Sequence, residues 1–97
     1  VLSESSYVAI DSLAAFLTEN PLIKIEISGY TDNSGSDEHN MTLSLERAAA
    51  VMSALIDREI SVTRIEAVGY GASRPLVPND SEKNKALNRR VEVRVIY

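Results

Sequence analysis

The chain has 97 residues, 44% of them apolar and 25% charged, which is the composition of one small globular domain and excludes a disordered or collagen-like chain. Fourteen acidic residues against ten Lys and Arg give a net charge of −4, a balance contrary to a domain built mainly to bind nucleic acid. No cysteine is present, so disulfides, thiolate metal sites and cysteine nucleophiles are excluded.

The opening Val1-Leu2-Ser3-Glu4 has neither the basic region nor the apolar core of a signal peptide. Val1 stands where an initiator Met would, so a C-terminal piece of a longer chain is expected, with residues 1–97 as a single domain. From Ser5 to Asn20, Val8, Leu13, Ala14, Phe16 and Leu17 fall near helical spacing, with Ser5 or Ser6 as the cap and Asn20-Pro21 as the stop. Leu22 to Tyr30 then alternates, Ile23, Ile25 and Ile27 against Lys24, Glu26 and Ser28, the pattern of a strand with one buried face.

A long helix is predicted from Ser36 to Arg58, with Ser36 as N-cap, Asp37 and Glu38 in the first turn, and Ala48, Val51, Met52 and Leu55 as its apolar stripe. The longest apolar stretch, Ala48 to Ile56 with Ser53 inside it, is far short of the about twenty residues a membrane-spanning helix needs. Val62 to Tyr70 reads as a second strand, ended by Gly69-Tyr70-Gly71, whose glycines allow a tight turn. A loop marked by Pro75, Pro78, Asn79 and Asp80 precedes a short polar helix near Glu82 to Leu87. Arg90 to Ile96 closes the chain as a strand, Val91, Val93 and Val95 alternating with Glu92 and Arg94.

This order predicts an α/β (α+β) two-layer sandwich: a small mixed β-sheet with two long helices packed on one face. Lys24, Glu26, Glu92 and Arg94 are expected to face water on the other.

The most polar connection, Thr31 to Asn40, lies between the C-terminal end of a strand and the N-terminus of a helix, where α/β sheets commonly bind ligands. Asp32 offers an anionic acceptor there, and Arg47 follows inside the helix. A carboxylate and a guanidinium facing one crevice suit a zwitterion. The plainer alternative, that Asp32 caps the turn and Arg47 is a solvated helix residue, stays open on spacing alone.

Gly29-Tyr30-Thr31-Asp32-Asn33-Ser34-Gly35-Ser36, Asn40 and Leu43-Ser44-Leu45-Glu46-Arg47-Ala48 resemble the OmpA-like C-terminal peptidoglycan-binding domain, the family of OmpA, peptidoglycan-associated lipoprotein and the flagellar stator. Gly69-Tyr70-Gly71 with Pro75, and Asn88-Arg89-Arg90-Val91-Glu92, match its later motifs in the same order. The resemblance implies a non-catalytic domain of a Gram-negative bacterium that grips the diaminopimelate of the peptidoglycan stem peptide. It would thereby anchor an outer-membrane protein or lipoprotein to the cell wall, in the periplasm. By motif, Asp32 would accept from the diaminopimelate ammonium and Arg47 would pair with its carboxylate. Asn40 and Arg89 would line the pocket, with Thr31 and Leu43 as wall residues. Each has a structural alternative: Asn40 ties down the helix start, Arg89 pairs with Glu92 or a loop carbonyl, Leu43 is ordinary core. The family opens with a further strand ahead of the first helix, beside the last strand, so Arg90–Ile96 is expected to be an edge here.

Other functions find less in the sequence. His39, the single histidine, sits among polar residues, and no motif activates a serine as a nucleophile. Asp32 with Asp37 or Glu38 as a carboxylate pair competes poorly with a solvated helical turn. As a calcium loop, Asp32 to Leu43 has glycine at the fourth place and leucine at the twelfth, and Gly69-Tyr70-Gly71 has Arg74 where a dinucleotide fingerprint needs its third glycine. No aromatic residue interleaves Arg89, Arg90 and Arg94 to suggest nucleic acid. No cofactor and no metal are expected. Peptidoglycan is the expected partner, the membrane is expected to be met only through other parts of the parent protein, and a weak homodimer is allowed. The rivals are a structural or oligomerising domain of the same fold and a flagellar-stator wall anchor.

Overall fold

A computed structural model describes the backbone of residues 4–96 and the side chains from Val8 onward. The Val1–Ser3 opening and Tyr97 lie outside the described residues. The elements run α1 (Glu4–Glu19), β1 (Ile25–Tyr30), α2 (Asp37–Asp57), a 3-10 turn (Val62–Arg64), β2 (Ile65–Gly71), α3 (Glu82–Asn88) and β3 (Val91–Val95).

The chain is already helical at Glu4, so Ser5 and Ser6 lie within α1 rather than capping it. The helix ends where expected: Asn20 N–H and its side-chain amide both donate to Phe16 O, and Pro21 follows. Ser36 caps α2 by accepting from His39 N–H at 3.1 Å, with Asp37 and Glu38 in the first turn. Val62–Arg64, expected as strand, is a 3-10 turn capped by Ser61. The reason is Arg64, whose guanidinium reaches the carbonyls of Leu17 and Asn20 at 2.8 Å and of Ile23 at 3.1 Å. That reach requires the chain to turn before β2 begins.

The sheet has strand order β2-β1-β3, with β1 parallel to β2 and antiparallel to β3. This is the expected mixed sheet with its helices on one face. Ile25 and Ile27 of β1 and Ile65 of β2 meet Ile10, Ala14 and Leu17 of α1 and Ala48, Val51, Ala54 and Leu55 of α2 in one core. Each fully buried aliphatic side chain there contributes roughly 1.5–3 kcal/mol relative to exposure.

Two paired glycines set how closely α2 approaches the sheet. Gly29 and Gly69 lie opposite each other in the β1–β2 register. A Cβ at Gly29 would stand 1.9 Å from Ser44 O, and one at Gly69 would stand 2.6 Å from Leu45 N. Gly69 therefore serves close packing beneath α2 rather than the turn, which follows at Gly71 with φ 58°.

The opposite face of the sheet is less open than its polar pattern suggests. Glu92 and Arg94 are exposed, but Ser28 is buried and the Glu26 side chain is only 12% exposed. β1 is the central strand, and long side chains from both neighbours lie over it. Glu26 accepts from Ser28 Oγ at 2.9 Å and from Arg94 at 3.2 Å. The Tyr30 and Tyr70 rings stack with centroids 5.4 Å apart, and the Arg90 and Arg74 guanidinium groups cap the two rings at 3.8 and 4.0 Å. β3 is an edge, as expected. Its Val91, Val93 and Val95 face the helical side and are 37–44% exposed, because no further strand lies beside them among the described residues.

Candidate functional site

The site forms where β1 ends. Thr31 N–H continues the sheet's hydrogen bonding to Gly71 O at 2.9 Å, and Thr31 Oγ1 donates to Asp32 O at 2.8 Å. These bonds hold both residues in place at the strand end, Thr31 4% and Asp32 7% exposed. Asp32 Oδ1 accepts from Ser34 N–H at 2.9 Å, closing an Asx turn, and its Oδ2 accepts from Arg89 Nη1 at 2.6 Å. Gly35, with φ 80°, carries the loop back toward α2. A Cβ there would lie 3.7 Å from Asn40 Oδ1, which places the loop over the start of that helix.

The Ser34 backbone N–H, and next the Arg89 guanidinium, hold the Asp32 carboxyl below its ordinary value of 3.8. Asp32 is thus an anion throughout the neutral range. Arg89 is pushed up by Asp32 first and Glu82 second. It bridges them, its Nη2 reaching Glu82 Oε1 at 2.9 Å.

Arg47 lies on α2 one turn after Ser44, the residue that meets Gly29. Its Nη1 donates to Tyr30 O at 3.3 Å, and no carboxylate pairs with it among the described residues. Arg47, Arg89 and Arg90 line one end of a groove of about 520 Å³ whose remainder is apolar, with Ile10, Leu13, Val51 and Val93 along it. Asn40 is 2% exposed as a residue, and no buried side-chain nitrogen or oxygen among the described residues is left without a hydrogen-bond partner.

Asp32 and Arg89 are therefore joined directly, while Arg47 shares the groove wall with Arg89 and touches the Tyr30 carbonyl just upstream of Asp32. Leu43 is half-buried on α2 and does not line the groove. Arg89 pairs with neither Glu92 nor a loop carbonyl; Arg90 takes Glu92, at 2.6 Å. Sequence reasoning missed Glu82 and Arg90. The signals available were the seven-residue spacing from Glu82 to Arg89, two turns of one helix, and the Arg89-Arg90 pair at its end.

A buried carboxylate, a guanidinium bonded to one backbone carbonyl and the Asn40 amide at the helix start can bind and orient a small polar group. No group of three His, Cys, Asp or Glu among the described residues could hold a metal ion.

The geometry defines a small α/β module with a polar cluster built at the end of its central strand. The chain belongs to the OmpA family, whose model matches residues 1–89. It is 41% identical over 95 residues to outer membrane porin F of Pseudomonas fluorescens, a match covering 98% of this chain and 29% of the porin. The chain thus spans well under half the length of the curated relatives it matches. In structure it is similar to the peptidoglycan-associated lipoprotein of Burkholderia pseudomallei, with a TM-score of 0.94 and 29% identity over 98% of this chain and 80% of that one. The C-terminal domain of MotB from Helicobacter pylori is similar too, with a TM-score of 0.91 and 26% identity over 100% of this chain and 76% of that one.

Proposed function

We propose that this domain binds peptidoglycan by gripping the diaminopimelate residue of the stem peptide, without catalysis. In the periplasm it would anchor a longer outer-membrane-associated protein to the cell wall. The observation that carries the reading is the state of Arg47, a half-buried guanidinium that touches one backbone carbonyl and, among the described residues, no carboxylate, set close to the strand end that bears the buried Asp32 anion. Diaminopimelate brings an ammonium and a carboxylate on one carbon, the pair that Asp32 and Arg47 complement. The Asn40 amide supplies a donor and an acceptor to the same group, and Thr31 and Arg89 fix Asp32. The similarity to a peptidoglycan-associated lipoprotein supports the choice of wall. A stator-type anchor would use the same site, given the similarity to MotB.

The test is an NMR titration of the chain with meso-diaminopimelate, with Nα-acetyl-lysine amide and the Asp32→Ala protein as controls. Saturable shifts at Asp32, Asn40, Arg47 and Arg89 are expected, absent with the blocked lysine, whose ε-ammonium has no carboxylate on its carbon. Asp32→Ala should weaken binding by about 2 kcal/mol or more, because it leaves the ligand ammonium unpaired. Equal response to the blocked lysine, or no loss in a folded Asp32→Ala protein, would sink the reading. In that case a structural role for the Asp32–Arg89 pair stands in its place.

A further inference from the structure

We propose that Glu82 is a specificity-determining positioning residue: by sharing Arg89 with Asp32, it keeps Asp32 attractive to a ligand ammonium. This rests on the reading that Asp32 receives that ammonium.

Arg89 is the only cation bonded to Asp32 among the described residues, through a short contact of 2.6 Å. Alone, that pair would be nearly neutral and closed on itself, a poor target for an incoming positive charge. Its other arm, however, is held at 2.9 Å by Glu82, a residue in the first turn of α3, while Arg89 is the C-cap of the same helix. Two carboxylates thus share one guanidinium, and the trio retains one net negative charge. An ammonium arriving at Asp32 meets that charge, and as it binds Arg89 has a second carboxylate to hold it. The helix frame keeps the geometry: Ser81 caps α3 by accepting from Asn84 N–H at 3.1 Å. The buried Asn88 ties the α3 end to the preceding loop, accepting from Leu76 N–H at 2.8 Å and Val77 N–H at 3.1 Å.

Glu82 itself is solvated, its side chain 79% exposed. It can therefore be changed without disturbing the core, and its influence is electrostatic and screened by salt. Replacing it with Gln leaves Arg89 wholly to Asp32. The site then becomes less receptive to an ammonium and more receptive to a lone carboxylate.

The experiment compares wild type, Glu82→Gln and Glu82→Asp for binding of meso-diaminopimelate and of pimelate, its counterpart without amines. Glu82→Gln should weaken meso-diaminopimelate binding about three- to tenfold at low ionic strength, and the loss should shrink to within about twofold near 0.5 M salt. It should not weaken pimelate, and Glu82→Asp should restore most of the loss. In the ligand-free proteins, the Asp32 side-chain carboxyl is titrated by NMR, and its midpoint should move to lower pH in Glu82→Gln. Unchanged affinity, or equal weakening of both ligands, overturns the proposal, as does an unmoved Asp32 midpoint. Failure of the wild type to bind meso-diaminopimelate refutes the diaminopimelate reading, and the Asp32 midpoint still decides whether Glu82 draws Arg89 away.

Discussion

Replacing Gly29 with Ala is the sharpest test of how the site is held. An added Cβ would stand 1.9 Å from the Ser44 carbonyl oxygen, 2.8 Å from its carbon and 3.2 Å from its Cα. Ordinary contact begins at 3.4 Å, so α2 must lift from β1 by about 1.5 Å, and the obstacle is backbone rather than a side chain that can rotate away. Overpacking of a well-filled core costs about 1–3 kcal/mol. A backbone clash of this depth belongs at the top of that range or above it, less the roughly 0.4–1 kcal/mol gained from a stiffer unfolded chain. The expected net loss is about 2–3 kcal/mol. For a domain of this size that lowers Tm by about 10–20 °C and the urea midpoint by about 2 M. The lift also breaks the 3.3 Å contact between Arg47 and Tyr30 O, since Arg47 sits one turn beyond Ser44. Affinity for meso-diaminopimelate should therefore fall even in the fraction that remains folded. Circular dichroism across a urea series, followed by titration at low temperature, reads both effects. A loss below about 1 kcal/mol would show that α2 rides freely on the sheet and that the glycine pair does not set its height.

Two further outcomes follow from local geometry. Glu59 closes α2 with φ 68° while Ile60 N–H bonds back to Leu55 O at 3.1 Å, a left-handed helix stop that favours glycine. Glu59→Gly should therefore stabilise the domain by about 0.5–1 kcal/mol, seen as a Tm rise of several degrees, and a fall in Tm would refute the strain. Asp32 is held below 3.8 in the folded protein, so its contribution to stability is complete above that value and is lost as pH falls through the lower folded value. Urea midpoints should therefore drop more steeply below about pH 4 in wild type than in Asp32→Asn, and parallel curves would remove Asp32 from the folded-state ledger.

Much of the architecture was legible because the patterns are local. The Ile25–Ile27 alternation, the Ser36 cap and the Ala48–Leu55 stripe each reflect one period or one turn of chain. Motif matching pointed to Asp32, Asn40, Arg47 and Arg89 as candidates, but it could not assign their partners. Arg89 meets Asp32 across 57 positions and Arg64 meets Leu17 across 47. Only the tertiary fold fixes such pairs. Alternation likewise assigned Glu26 and Ser28 to a face but not to an environment. Arg90 over Tyr30 and Arg94 at Glu26 cover the central strand, a consequence of strand order rather than of any one strand's sequence. The 3-10 turn escaped for the same reason, since its cause is a guanidinium reaching the far end of another helix.

Arg64 carries a mechanical consequence. Its guanidinium holds three carbonyls from the end of α1, the turn and the approach to β1. Behind this clasp stand the residues of the candidate site, on the β1 end, α2 and the α3–β3 junction. A load drawn through the chain ahead of α1 against a site gripping a fixed partner reaches α1 first. The helix can peel turn by turn toward Glu19, sacrificing its contacts at Ile10 and Ala14, while the clasp arrests the unzipping before it enters the sheet. The polar residues that would hold on thus lie beyond the part that gives first, whereas the groove wall at Ile10 and Leu13 is lost with α1.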